Sequence, residues 1–261
     1  QDHPTLSIAD SIACKRYLDS ADNSLLFSIR RQLYLDSALQ IAPWRAGLWQ
    51  QKSMPLLKQR KYELAMPYLD SAVKYNEHKY LDYRAFIKCI FAKSYTDAIA
   101  DFNAARALLG NSGVMDHPYD FYIGMCYLQL NNFDSCSHLM QKCIDEQTRK
   151  NGPSWVHPMN WFYLGIAQQE QLQYEKAISS FDSCLKLYPN FCDAKYYKAD
   201  CLVKTGRLTQ AKPIMEQALA DFRNGYTINE DNAIYELYPY QVVKAFIEGY
   251  AQYLQTAPST K

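Results

Sequence analysis

The sequence predicts an all-α chain, an α-solenoid of stacked antiparallel helix pairs with a C-terminal capping helix. Three observations predict it. Apolar residues recur at spacings of three and four along most of the chain, the period of a helix with one buried stripe. Small residues return at a fixed phase: Gly165 and Ala199 are 34 apart, as are Ala177 and Ala211. Prolines such as Pro43 and Pro189 close the helical stretches, because proline cannot continue a helix and biases the residue before it toward extended backbone.

The stretch from Trp161 to Pro189 holds the pattern most fully. Trp161 and Leu164 form a stripe on a first helix, and Ala177, Phe181 and Cys184 form one on a second. A polar turn near Glu170–Tyr174 separates them. Gly165 lacks a side chain, so the second helix can approach closely, with Ala177 the small residue expected to face it. Such a hairpin leaves its outer faces uncovered and needs copies on either side.

Those copies can be followed along the chain. Leu6–Leu18 and Ser24–Gln40 read as a degenerate N-terminal repeat or cap, residues 1–45, after a loose lead-in at Gln1–Thr5. Repeats then follow over 46–223. The first carries Trp49, Ser53, Tyr62, Ala65, Leu69 and Ala72. The second carries Phe86, Cys89, Tyr95, Ala98, Phe102 and Ala105. The third carries Gly124, Tyr127, Phe133, Cys136, Met140 and Cys143, and residues 148–154 after it read as an insertion or a lengthened helix. The Trp161 repeat is the fourth, and Ala199, Gly206, Ala211, Met215 and Ala218 mark the fifth. Residues 224–261 supply the remainder: a Tyr- and Asn-rich connector, an amphipathic helix at Gln241–Leu254 and a tail at Ala257–Lys261. Asn224-Gly225 suits a left-handed helix cap. The expectation is one continuous solenoid, its last helix covering Leu208, Met215 and Leu219 rather than entering a groove.

The W-x2-L-G spacing at Trp161–Gly165, then Ala177-x3-Phe181, then Pro189, resembles the tetratricopeptide repeat. Gln168 stands where that family prefers Tyr. The resemblance implies a superhelix whose first helices line a concave surface, with the positions three before and one after each Gly slot facing inward. Those positions hold Gln50 and Met54, Tyr83 and Ile87, Phe121 and Met125, Phe162 and Ile166, and Tyr196 and Asp200. An aromatic residue occupies the same place in four of them, which suits an apolar peptide, a helix face or an extended segment. The Lys, Arg and Asn clamp by which some members hold a peptide carboxylate is missing.

The function expected is therefore a non-catalytic protein–protein interaction scaffold with a protein or peptide partner. The alternative is a small-ligand carrier, for example of carbohydrate, using the same rings with Gln50, Gln169, Asp193 and Asp200 as polar groups. Catalytic chemistry lacks support. His138 and Cys143 fall on different faces of one predicted helix, no Gly-rich phosphate loop exists, and Asp193 and Asp200 have no partner constellation. His117, Cys136, His138 and His157 lack metal-ligand spacing, so neither a metal nor another cofactor is expected. His117-Pro118 and His157-Pro158 read as loop residues leading into a first helical turn.

Charge excludes another class. Twenty-eight basic residues balance 27 acidic ones, without the basic stripe of a nucleic-acid binder. No apolar run reaches the length of a transmembrane segment. The chain starts at Gln1, which suits an exported protein of the periplasm or cell envelope, with the cytoplasm as the alternative. The eight cysteines show no disulfide framework, and several occupy slots where alanine would pack, so they read as buried hydrophobes.

Overall fold

The computed structural model describes residues 4–256; the tail Ala257–Lys261 and the first three residues of the lead-in lie outside the described residues. Thirteen α-helices run through the described part, and its only strands are the two-residue pieces Gly113–Val114 and His117–Pro118. The chain is all-α, built from antiparallel helix pairs. It divides into two compact units, Gln1–Val114 and Met115–Lys261.

In the first unit, α1 (Ile8–Asp22) pairs with α2 (Ile29–Ile41) and α3 (Ala46–Lys58) with α4 (Tyr62–Tyr75). The third pair is α5 (Glu77–Phe86), extended by a π-helical turn at Ile87–Phe91, and α6 (Tyr95–Leu109). The N-terminal helices start later than their apolar pattern suggests, because serines cap them. The Ser7 side chain accepts from the Asp10 N–H and that of Ser28 from the Arg30 N–H, each at 3.1 Å.

In the second unit, α7 (Tyr119–Gln129) pairs with α8 (Phe133–Asn151), α9 (Pro158–Glu170) with α10 (Tyr174–Leu187), and α11 (Cys192–Lys204) with α12 (Leu208–Arg223). The extra residues near 150 resolve into a lengthened α8 followed by a 3-10 turn at Pro153–Trp155. The last helix, α13, spans Lys244–Thr256 and packs against α12. It begins three residues after the expected Gln241, because Val242 is engaged by another helix, as described below.

Two local devices repeat. The turn inside each of the five pairs from α3 to α12 places one residue in the left-handed region: Arg60, Lys93, Asn131, Leu172 and Gly206. An aspartate on a second helix meets a cation on the next first helix: Asp36 with Lys52, Asp70 with Arg84 at 2.8 Å, and Asp182 with Lys198 at 2.5 Å. Lys52 is buried there, so its ammonium depends on Asp36 for a partner. Close approach at Gly165 has a different cause from the one expected. The group over it is the Phe181 ring rather than Ala177, and a Cβ on Gly165 would come within 2.6 Å of that ring.

Candidate functional site

The ten residues expected to line the groove separate by burial. Ile87, Phe121, Met125, Phe162 and Ile166 are buried, with Phe121 and Phe162 at 0% exposure. Gln50, Met54, Tyr83, Tyr196 and Asp200 are half-buried. Phe121 and Phe162 therefore stand as core rings, a correction to their expected role as contact residues. Phe162 packs between Tyr163, Phe181, Phe191 and Tyr197, with ring centroids 5.1–6.2 Å away. Phe121 stacks on His117 at 3.8 Å and meets Tyr163 edge-on at 5.7 Å.

In the first unit, what remains of the row is Gln50, Met54 and Tyr83, the Gln50 amide donating to the Tyr83 hydroxyl at 3.5 Å. Burial pushes the Tyr83 phenol upward.

In the second unit the first helices α9 and α11, and the residues just before α7, are met by the chain's own connector, residues 226–243. The Cys192 N–H donates to the Tyr226 carbonyl at 2.9 Å. Asp193, fully buried on α11, accepts from the Thr227 hydroxyl at 2.8 Å and from the Val242 N–H at 2.6 Å. The Tyr163 hydroxyl of α9 donates to the Pro239 carbonyl at 3.1 Å, and the Tyr240 hydroxyl meets Glu170 at 2.9 Å. Glu230 reaches His117, just before α7, at 3.0 Å. Ile228, Tyr238, Pro239 and Val242 are buried along this path.

Helix α13 extends that cover. The Tyr250 hydroxyl donates to Asp200 at 2.7 Å and its ring meets Tyr196 edge-on at 5.6 Å. Ile247, Ala251 and Leu254 face inward, while Phe246 is 66% exposed. The last helix was expected only to flank α12 and leave the groove open. It does flank α12, with Met215 buried and Leu208 and Leu219 half-buried. The connector nevertheless runs back over the first helices, because the buried Asp193 carboxylate and the Tyr163 hydroxyl there need partners, and the connector supplies them.

The polar groups considered for a small ligand are largely engaged in this packing. Gln169 donates to Asp200 at 2.9 Å, and Asp200 also takes the Tyr250 bond. Burial drives the Asp193 carboxyl above its ordinary range, opposed by its bonds to Val242 and Thr227.

A second cluster lies at the start of the first helices. His117, His157 and Glu230 bring one nitrogen or oxygen each to within 4.8 Å of one another. His157 is the N-cap of α9, its Nδ1 accepting a long 3.4 Å bond from the Met159 N–H. Burial and the neighbouring His117 lower His157 to about 4, and the histidines hold Glu230 below its usual range despite burial. Of the four residues weighed for a metal, the structure brings His117 and His157 together, their ring centroids 4.6 Å apart. His138 is exposed on α8, and Cys136 is buried and raised by burial. Glu230 was missed, since it is 113 residues from His117. The repeated His-Pro before α7 and α9 was the available signal.

Residues 169–226 match a family model described as tetratricopeptide repeat. No curated protein matches the chain in sequence. Among solved structures, it is similar to a tetratricopeptide repeat protein from Parabacteroides merdae, 14% identical with a TM-score of 0.61, covering 96% of this chain and 100% of that one. It is also similar to MamA from Desulfovibrio magneticus, at 16% identity and a TM-score of 0.57 over 69% of this chain and 96% of that one. YrrB, described as having an unusual peptide-binding site, is 14% identical with a TM-score of 0.50, over 73% of this chain and 93% of that one. With its helix pairs and left-handed turns, the chain has the tetratricopeptide-repeat fold, and residues 169–226 carry the family's repeat.

Proposed function

We propose that this protein is a non-catalytic interaction scaffold whose first helices take up an extended protein segment. The observation that carries the reading is the connector. It lies on α9 and α11, held through its backbone at Tyr226, Pro239 and Val242 and through buried Ile228 and Tyr238. Backbone bonds supply affinity and the buried apolar side chains supply selectivity, the usual logic of peptide recognition. The peptide-binding site of YrrB is compatible with this use of the fold.

The contact row is Gln50, Met54 and Tyr83 in the first unit, with Tyr196 and Asp200 in the second becoming available where the connector and α13 withdraw. Phe121, Met125, Phe162, Ile166 and Ile87 support that row from beneath. The carbohydrate reading is weaker, because Gln169, Asp193 and Asp200 already bond to protein groups.

The test uses a chain whose residues 226–243 are replaced by a Gly/Ser linker of equal length, checked for helix content by circular dichroism. A labelled synthetic peptide of the natural segment should bind it saturably and bind the unmodified chain far more weakly. If a folded replacement chain fails to bind the peptide, the face is not a segment-binding surface and the reading falls.

A further inference from the structure

We propose that His117, His157 and Glu230 form a binding site for one first-row transition-metal dication, of the kind Zn2+ represents. The donor set is two imidazoles and one carboxylate, which suits zinc and its neighbours better than Mg2+ or Ca2+, whose shells are built from oxygen. It is the single grouping of three or more such side chains among the described residues.

Two features point to a ligand. First, the donors come from three separate segments: the residue before Pro118, the N-cap of α9, and the connector. Second, His117 is held with its side chain at 0% exposure, yet its Nδ1 has no hydrogen-bond partner. A buried polar atom without a partner costs about 1–3 kcal/mol, so protein groups alone do not satisfy this ring; the nitrogen turned toward the cluster, and the one offered to the ion, is Nε2, 3.0 Å from Glu230 Oε1.

The geometry requires a small closure. Two atoms bound to one zinc at about 2.1 Å are at most about 4.2 Å apart. The widest separation here is 4.8 Å, while His117 Nε2 and Glu230 Oε1 are already at 3.0 Å. Glu230 sits on non-helical backbone, so its segment can shift without breaking a helix. His157 gives up little. Coordination through Nδ1 uses the lone pair that accepts the Met159 N–H, and coordination through Nε2 puts the proton on Nδ1. Either route exchanges a long 3.4 Å cap bond for a metal bond. A bound ion would join the connector to the starts of α7 and α9, so metal and cover would stabilise each other.

The test takes the full chain, strips it with EDTA and titrates it with ZnCl2 by calorimetry, with Co2+ as the spectroscopic stand-in. One equivalent should bind, and Co2+ should develop the intense visible bands of a four-coordinate site. His157→Ala and Glu230→Gln should each weaken Zn2+ at least about tenfold, while His138→Ala, at an exposed histidine, leaves affinity unchanged. Zn2+ should shift the ring NMR signals of His117 and His157 and leave those of His78 and His138 in place, a readout that needs no variant to fold. Absence of stoichiometric binding, a Co2+ spectrum unchanged from the aqueous ion, or shifts confined to His78 and His138 would each overturn the site. So would full affinity in the His157→Ala/Glu230→Gln double variant.

Discussion

Leu172 takes a positive φ of 61° with its side chain 70% exposed, in the turn between α9 and α10. The left-handed region costs an ordinary residue about 1–2 kcal/mol, and asparagine tolerates it better. Leu172→Asn is therefore expected to raise stability by about 0.5–1 kcal/mol in urea denaturation. At Gly165 the sign reverses. An alanine Cβ would press on the Phe181 ring, which cannot bend away, so Gly165→Ala should cost about 1–3 kcal/mol. At Gly124 the nearest atom is the flexible end of Met140, 2.7 Å away, and Gly124→Ala should cost less. A thermal melt ranking the two alanine variants the other way would contradict this account. The burial of Phe121 and Phe162 carries a third expectation. Phe121→Ala and Phe162→Ala should each lose about 3–5 kcal/mol, the same scale as Phe181→Ala, measured by chemical denaturation. Their shared register with Tyr83 and Tyr196 was legible in the sequence. What register cannot tell is whether the face it defines stays open, and that left two core rings looking like contact residues.

Among elements, the connector decides the most. Helices α9, α10, α11 and α12 are local: a stripe, a turn and a stop within 34 residues, all readable from spacing. The connector has no period, and its anchors are single side chains distant in sequence, such as Asp193 with Val242, 49 residues apart. Asp193→Ala would leave the Val242 N–H and the Thr227 hydroxyl without their acceptor and is expected to cost about 1–3 kcal/mol. Limited proteolysis should then cut within 226–243 well before the helices. If cleavage there is no faster than in the unmodified chain, Asp193 does not hold the segment. Tyr163→Phe removes one bond to Pro239 and should speed the same cleavage more modestly.

For the whole molecule, the cysteines give the broadest check. All eight are buried, Cys136, Cys143 and Cys184 in slots where the repeat packs small residues. Denatured, unreduced protein should titrate eight thiols with Ellman's reagent, and native protein should react slowly. Two or more stable disulfides would mean that the thiols serve to bridge and not to fill.

The sequence by itself determined the fold class and the helix pairs, because helix periodicity and close packing act over a few residues and repeat at a constant phase. It also determined that Gly165 must lie against a second helix. Only the tertiary structure decided that Phe181 is the group lying there, that Phe121 and Phe162 are core, and that the last segment covers α9 and α11. The same holds for the meeting of His117, His157 and Glu230. Each of those outcomes depends on which buried polar group or ring finds a partner far along the chain, and neither spacing nor composition encodes that choice.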